Sequence, residues 1–203
     1  MAIRRFDRLG EQRVHCISAG TALRALAFDE NSIDFSYPKL AQLLRRIGDT
    51  KDDENKNDMR ELFRRMIFNT LIDNTDDHEK NHALIMFSPE RNGNVRLSAA
   101  YDVLPTNSGQ GHQEFGVGTD GRDSTLENAM SQCTLFGLQP AVAAKEIVSV
   151  IAVVNGWQAH FRATGVSAED IAQLAEFIDG SELLRQRQEF SAGTYTKIPG
   201  KRN

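Results

Sequence analysis

Five polar residues in the middle of the chain have the types and spacing that phosphoryl-transfer chemistry uses. Asp76 is followed five positions later by Asn81, and Asp102 comes further along the chain. A carboxylate such as that of Asp76 can orient a hydroxyl group and accept its proton. The amide oxygen of Asn81 and the carboxylate of Asp102 are oxygen ligands of the kind that Mg²⁺ prefers. His78 and Lys80 can place positive charge beside phosphate oxygens. These residues predict magnesium-assisted transfer of a phosphoryl group to a hydroxyl.

The segment between Asn81 and Asp102 carries the pattern of a β-hairpin. The apolar run HALIMF precedes Asn92-Gly93, and VRLSAAYDVLP follows it. Asn-Gly between apolar runs is a turn signal, so we expect two strands that bring Asp102 back towards Asn81. Protein kinases have this order in their catalytic loop and metal-binding segment. D-x-x-x-x-N alone is common by chance, and the alternative is a solvated turn rich in Asp and Asn.

Most of the remaining chain is predicted to be helical. Apolar residues recur at helical spacing over 37–47, over 59–72 and over about 140–161. Shorter helices are expected at about 125–133 and after Ser167, which with Asp170 resembles a capping box and starts the last helix. A strand-like start, IRRF, and a glycine-containing loop over 107–124 complete the order. These patterns predict a mainly α chain of the α+β class.

Two groups of side chains outside the central motif have simpler interpretations. Three arginines oppose the apolar face of the second helix and are expected to be solvated, with contact to an acidic partner as the alternative: Arg60, Arg64 and Arg65. Trp157 and Phe161 are expected in the core. Inside the motif, Asp77 is expected to cap a turn.

Composition limits the class of protein. With 203 residues, of which 40% are hydrophobic, the chain suits one domain, which we place at 1–190 with a loose tail over 191–203. A net charge of −4 and a pI near 5.8 argue against direct nucleic-acid binding as the main role. The two cysteines, Cys16 and Cys133, are far apart, which favours a reducing, cytoplasmic compartment. The most apolar window, 141–154, contains Lys145 and Glu146 and is too short to span a membrane.

The central motif closely resembles a known family. "FNTLIDNTDDHEKNHAL" and "LSAAYDVLPT" are similar to the C-terminal region of HipA-type toxin kinases, which carry a pattern like N-x-x-I-G-N-x-D-D-H-x-K-N and then a Tyr-Asp pair. "RRFDR" near the start resembles the segment that joins the two kinase lobes of that family. "GTDGRDSTLENAMSQCTLFGL" resembles a later loop and helix, so the resemblance covers nearly the whole chain.

The resemblance implies the large C-terminal lobe of a protein-kinase-like fold, with a small β-hairpin at the catalytic cleft. It implies transfer of the ATP γ-phosphoryl group to Ser or Thr hydroxyls of a protein substrate, and restraint by a DNA-binding antitoxin. Asp76 would be the catalytic base, with His78 and Lys80 near the phosphates. Asn81 and Asp102 would bind Mg²⁺.

Nucleotide contacts also follow from the resemblance. Tyr101 would flank the nucleotide, and the backbone around Arg4, Arg5 and Phe6 would meet the adenine. His78 would contribute to binding the phosphates. Asp73 stands where the family often has Gly, a change that affects the turn but none of the proposed ligands.

A kinase also needs a glycine-rich phosphate loop and a strand lysine, which belong to the small lobe. Before Asp76 the chain has only Gly10, Gly20 and Gly48, so the small lobe is expected to be missing from it. The chain would then be a fragment of a longer protein, the product of a truncated gene, or half of a split kinase whose N-lobe is a separate chain. The isolated chain should then phosphorylate poorly.

Two further alternatives are a pseudokinase-like interaction domain that binds an antitoxin or another protein, and a metal-dependent hydrolase using Asp76, His78 and Asp102.

Overall fold

The chain is described by a computed structural model, which covers residues 5–27, 33–86, 94–106 and 109–196. Helices dominate these ranges, as predicted. They are α1 (Ala19–Leu26), α2 (Tyr37–Ile47), α3 (Glu54–Leu71), α4 (Leu126–Ser131), α5 (Pro140–Asn155), α6 (Trp157–Ala163), α7 (Ala168–Ile178), α8 (Ser181–Glu189) and α9 (Gly193–Thr196). Short 3₁₀ helices lie at Lys51–Asp53 and Cys133–Phe136.

Two small antiparallel sheets accompany the helices. The first pairs β1 (Arg8–Leu9) with β2 (Gln12–Arg13), and the second has the order β3 (His15–Ser18), β4 (Ala83–Met86) and β5 (Arg96–Leu97). The pairing of β4 with β5 confirms the predicted hairpin, whose Asn-Gly turn lies outside the described residues. The strand predicted at IRRF is wrong for Arg5 and Phe6, which precede β1, and the first two residues of that stretch are not described.

Helix α3 is the centre of the core. Its predicted apolar face is fully buried at Leu62, Phe63, Met66 and Ile67. The ring of Phe63 packs edge-on against Phe136, with centroids 5.3 Å apart. Burial of each such side chain contributes roughly 1.5–3 kcal/mol. The helix starts at 54, earlier than the predicted 59, because its polar first turn also adopts helical geometry.

The α2 prediction is confirmed at both ends. Ser36 caps the helix by accepting a hydrogen bond from the Lys39 amide, Pro38 occupies the first turn, and Gly48 ends it. Apolar side chains of α2 then pack against α3, including the fully buried Leu40 and Leu44.

The single helix predicted over about 140–161 is wrong, because the chain breaks into α5 and α6 at Gly156. The break turns Trp157 into the core, where its indole N–H reaches the carboxylate of Asp179 at 3.2 Å. Within the described ranges no single helix is long and apolar enough to cross a bilayer. Helices α5 and α6 meet that criterion only as a pair, with a bend of 46° between them.

The arginine face of α3 is partly solvated, with the Arg60 and Arg64 side chains 46% and 43% exposed, and it also meets an acidic residue of α5. Both Arg60 and Arg64 bond the carboxylate of Glu146, whose side chain is only 4% exposed, and the Arg64 Nε to Oε2 distance is 2.5 Å. Arg65 donates from Nη2 to the carbonyl oxygen of Ser98 at 2.7 Å. The three arginines therefore tie α3 to α5 and to the segment after β5.

The capping box at the start of α7 is confirmed, since Ser167 accepts from the Asp170 amide at 3.1 Å. It does not begin the last helix, because α8 follows, and the turn of α9 comes after that at the start of the expected tail. Phe190 stacks on Tyr195, with ring centroids 5.8 Å apart. Residues 197–203 lie outside the described part of the chain.

Candidate functional site

The loop that carries the central motif begins directly after α3. The chain reverses at Asp73, whose φ of 58° lies in the left-handed region. Gly adopts this conformation freely and Asp tolerates it, which explains how Asp can stand at this position. The amide of Asn74 then bonds the carbonyl oxygen of Asn69 at 3.0 Å. The loop is thereby attached to the last turn of the helix.

The structure brings Asp76 and Asn81 together. The side-chain amide of Asn81 faces the carbonyl oxygen of Asp76 at 3.4 Å, and its backbone amide donates to the carbonyl oxygen of His78 at 3.0 Å. Asp76 is exposed, whereas Asn81 is buried at the base of the loop. The imidazole Nδ1 of His78 accepts from the Lys80 amide at 3.3 Å, so this ring also takes part in the turn.

The segment of residues 101–106, which carries Asp102, is attached to this loop at both ends. The hydroxyl of Tyr101 donates to the carbonyl oxygen of Lys80 at 2.6 Å. The backbone amide and hydroxyl of Thr106 donate to the carbonyl oxygen of Asp73 at 2.9 and 2.8 Å. Asp102 lies between these two attachments. The hairpin therefore returns the chain to the loop that holds Asp76 and Asn81, as the sequence predicted.

Asp102 has an unusual backbone. Its φ is 55°, in the left-handed region, and its side chain belongs to an exposed residue. A non-glycine residue in this region costs on the order of 1–2 kcal/mol, and such residues cluster at functional sites. Asp52, Asp53 and Asp73 share this conformation, so the backbone alone does not single out Asp102.

Near the N-terminus, the ring of Phe6 stacks on Tyr101, with centroids 5.4 Å apart and planes 27° from parallel. Arg5 forms two hydrogen bonds to Asp7, and these lower the pKa of the Asp7 carboxyl to about 2. Arg4 lies outside the described residues. Burial, with smaller contributions from nearby acidic groups, raises the pKa of Tyr101 to about 12, so the phenol remains a hydrogen-bond donor.

A cavity of about 670 Å³ lies behind the loop, between α3, α5 and the segment after β5. Its wall on the loop side includes Asn81, His82 and Tyr101, and its far wall includes Val150 and Val153. Asp76 and Asp102 do not line it. The cavity is therefore lined by one of the two proposed Mg²⁺ ligands, Asn81, and not by the other.

The donor set suits a hard cation. Mg²⁺ in phosphoryl-transfer sites takes one or two protein oxygen ligands and completes its shell with phosphates and water. An amide oxygen at Asn81 and an exposed carboxylate at Asp102 provide such ligands. Among the described residues, no group of three or more His, Cys, Asp or Glu side chains is placed to share a metal ion, so the alternative site of Asp76, His78 and Asp102 has no support.

Sequence reasoning missed three residues that organise the loop. Thr106 gave no signal, because its role depends on where the chain returns. Asp77, expected to cap a turn, is buried and accepts hydrogen bonds from Tyr37 and His82. Asp77 and His82 have the same five-residue spacing as Asp76 and Asn81, and this repeated spacing could have identified them.

Comparison with known proteins locates this site within a family. The model of the HipA-like C-terminal domain family matches residues 1–157. A protein of Sinorhizobium fredii (strain NBRC 101917 / NGR234), named "Putative kinase Y4dM", is 37% identical over 107 residues. That match covers 52% of this chain and 24% of the relative.

A solved structure shares the fold. HipA of the Shewanella oneidensis MR-1 toxin–antitoxin system, in complex with HipB and its operator DNA, superposes with a TM-score of 0.67 at 15% sequence identity. The superposition covers 97% of this chain and 50% of the HipA-complex chain. The chain thus spans about half the length of that relative.

Proposed function

Because the chain belongs to the HipA-like C-terminal domain family, we propose that it is the large lobe of a HipA-like serine/threonine protein kinase. Its reaction is the transfer of the γ-phosphoryl group of ATP to a hydroxyl of a protein substrate. The name of the Sinorhizobium relative, a kinase, supports the activity, and the kinase-like fold of the Shewanella protein supports the architecture.

One observation carries the proposal: the two-ended attachment of the segment 101–106 to the motif loop, through Tyr101 and Thr106. Without it, a motif of Asp and Asn would be a solvated turn. With it, Asp102 is held beside the loop of Asp76 and Asn81. This is the relationship that a phosphoryl-transfer site requires of its base and its metal ligands.

In this proposal the exposed carboxylate of Asp76 orients the substrate hydroxyl and accepts its proton. Asn81 and Asp102 would hold Mg²⁺ through their side-chain oxygens. The bound ion would offset the negative charge of the phosphates. Lys80 adds positive charge beside the phosphate oxygens. The His78 ring accepts from the Lys80 amide through Nδ1, so it would meet the phosphates as a neutral donor through Nε2.

The stacked pair of Phe6 and Tyr101 supports a nucleotide site at the N-terminal edge of the lobe. We place the adenine against the backbone of Arg4, Arg5 and Phe6, with Tyr101 at its side. The side chain of Arg5 is engaged by Asp7, so Arg5 would contribute through its backbone.

We also propose that catalysis needs a small lobe, with its phosphate loop and lysine, from sequence beyond this chain. The Shewanella structure holds HipA together with HipB and operator DNA, which supports a DNA-binding antitoxin as a partner here. The compartment is the cytoplasm, where both free cysteines, Cys16 and Cys133, would stay reduced.

The test is metal binding in the presence of ATP, with Mn²⁺ as the spectroscopic probe for Mg²⁺. We expect Asp102→Asn and Asn81→Ala to lower the Mn²⁺ affinity at least about tenfold. The matched control is Asp52→Asn, because Asp52 is also an exposed aspartate with a left-handed backbone, at φ 54°, and lies outside the motif. Mn²⁺–ATP binding that neither site variant changes would refute the proposed metal site.

Phosphoryl transfer is the second readout. With a complementing small lobe added, Asp76→Asn should abolish incorporation of label from γ-labelled ATP into protein. The chain by itself should show little incorporation. Robust transfer by the isolated chain, lost in Asp76→Asn, would contradict the need for a small lobe while supporting the role of Asp76.

A further inference from the structure

A buried network of polar side chains lies directly under the motif loop. The carboxylate of Asp77 accepts hydrogen bonds from the hydroxyl of Tyr37 and from Nε2 of His82, the latter at 2.8 Å. The Tyr37 oxygen in turn accepts from the Asn69 amide at 3.1 Å, and Asn69 accepts from Asn74 at 3.1 Å. All five residues are buried, with exposures of 2% or less. The network thus joins the end of α3, the start of α2 and both ends of the loop.

The protonation pattern follows from the partners. Burial, and then the charge of Asp77, raises the pKa of Tyr37 well above its ordinary value, so its phenol donates. A carboxylate only accepts, so Nε2 of His82 carries the hydrogen that it donates to Asp77. Buried charge-assisted hydrogen bonds of this kind are stronger than neutral ones, and losing one partner leaves a buried polar group unsatisfied.

The His82 ring is also held by its neighbours. It stacks on Phe115, with centroids 5.5 Å apart, and meets Tyr37 edge to face at 5.4 Å. The carbonyl oxygen of His82 accepts from the Ala19 amide at 2.8 Å. Ring stacking, burial and the backbone bond leave the residue little freedom to move.

Asp77 and His82 have the same sequence spacing as the proposed functional residues Asp76 and Asn81. Asp77 directly follows Asp76, and His82 directly follows Asn81. The buried pair, Asp77 and His82, is bonded side chain to side chain. In the pair of proposed functional residues, the Asn81 side-chain amide reaches only the backbone carbonyl oxygen of Asp76, at 3.4 Å. The hydrogen bond between Asp77 and His82 therefore joins the two ends of the loop across five residues, the same spacing that separates Asp76 from Asn81.

We infer that Asp77 and His82 are positioning residues, whose buried hydrogen bond sets the separation of Asp76 from Asn81. This rests on the proposed function for its catalytic meaning. The anchoring of the loop does not depend on that function. A metal ligand is held by partners that touch no metal, and loss of such partners typically costs about tenfold to 100-fold in metal affinity.

The experiment compares three variants of the full chain. His82→Phe keeps the ring stack on Phe115 and loses the donor, whereas His82→Gln retains an N–H donor for Asp77. The matched control is Gln186→Leu, because Gln186 is also buried, and its side chain bonds the Leu126 amide at 3.1 Å and the Ser124 carbonyl oxygen at 3.2 Å rather than residues 76–82. Hydrogen exchange of residues 76–82 and Mn²⁺ affinity in the presence of ATP are measured well below the melting temperature of each variant.

We expect His82→Phe to speed exchange in the loop at least about tenfold, a change that corresponds to about 1.4 kcal/mol of local opening free energy. We expect it to weaken Mn²⁺ binding about tenfold or more, with partial recovery in His82→Gln and no change in Gln186→Leu.

Unchanged loop exchange in His82→Phe, or faster exchange with undiminished Mn²⁺ affinity, overturns the inference. If His82→Phe fails to fold, Asp77→Asn replaces it with the same expectations. If Asp102→Asn leaves Mn²⁺ affinity unchanged, the proposed function is refuted instead. Faster loop exchange in His82→Phe would then still show that Asp77 and His82 anchor the loop.

Discussion

The hydroxyl of Tyr101 donates a hydrogen bond to the carbonyl oxygen of Lys80 at 2.6 Å. This contact joins the residue before Asp102 to the residue before Asn81, across the hairpin of β4 and β5. The two proposed Mg²⁺ ligands are thereby held by their immediate neighbours. The same tyrosine stacks on Phe6, so one side chain links the N-terminal segment, the motif loop and the strained aspartate.

Tyr101→Phe tests this link. The variant keeps the ring and its stacking on Phe6 but removes the hydroxyl, so the free energy of unfolding should fall by about 0.5–1.5 kcal/mol. Mn²⁺ affinity should fall as well, since Asp102 loses one attachment. The control is Tyr195→Phe, because the hydroxyl of Tyr195 makes no hydrogen bond within the described part of the chain. Equal losses in the two variants, measured by urea denaturation, would show that the Tyr101 hydroxyl has no special role.

Glu146 should make stability depend on pH. Burial alone would raise the pKa of its carboxyl, but the hydrogen bonds from Arg60 and Arg64 lower it below the ordinary value of 4.5. A carboxyl with a lowered pKa in the folded state stabilises the fold above its unfolded pKa. That stabilisation is lost as the pH falls through the folded pKa. The free energy of unfolding should therefore drop below about pH 4.5.

Glu146→Gln should remove most of that pH dependence. The Arg60 and Arg64 side chains are 46% and 43% exposed, so solvent screens their ion pairs with Glu146. We therefore expect Glu146→Gln to lower the free energy of unfolding by only about 1–2 kcal/mol at pH 7. The difference between wild type and variant should shrink at pH 3.5. Glu11→Gln, at an exposed carboxyl between β1 and β2, is the control and should change little. A difference between wild type and Glu146→Gln that stays constant from pH 7 to pH 3.5 would contradict the assignment.

The predictions from sequence succeeded where a local pattern decides the structure. The helix over 37–47 and the buried face of α3 follow from apolar spacing, and the strand pairing on both sides of Asn92-Gly93 follows from a turn signal. Each of these requires only neighbours along the chain. The family resemblance added the protein-kinase-like fold, which the structural comparison confirms.

The errors concern contacts between distant parts of the chain. The arginine face of α3 has the pattern of a solvated surface, and only the packing of α5 places Glu146 against it. The long helix looked continuous because one glycine is a weak breaker, and the break at Gly156 is fixed by the burial of Trp157. Thr106 becomes part of the site only because the hairpin returns it to Asp73. Spacing along the sequence contains none of this information.

Gly118 should be intolerant of any side chain. A Cβ atom there would lie 2.1 Å from the carbonyl oxygen of Asn128, a backbone atom of α4 that cannot move aside. We expect Gly118→Ala to lower the free energy of unfolding by about 1–3 kcal/mol or more through overpacking. Gly156→Ala is the control, because its nearest contact would be 3.4 Å and its φ of −89° suits alanine. Comparable melting temperatures for the two variants would mean that the loop before α4 can shift to admit the methyl group.

The strained backbone of Asp102 predicts a separation of stability from function. Asn adopts the left-handed region about as readily as Asp, so Asp102→Asn should leave the free energy of unfolding within about 0.5 kcal/mol of wild type. Val is β-branched and resists a φ of 55°, so Asp102→Val should cost about 1–2 kcal/mol. Both variants should weaken Mn²⁺ binding at least about tenfold, because neither carries the negative charge of the carboxylate. Thermal and urea denaturation of the pair, with Asp52→Asn and Asp52→Val at the matching exposed position, separates strain from chemistry. The contradicting outcome is an Asp102→Val variant as stable as wild type, with Asp52→Val destabilised. The segment 101–106 would then be free to relax. Its attachment to the loop at both ends could not be what holds Asp102 in place.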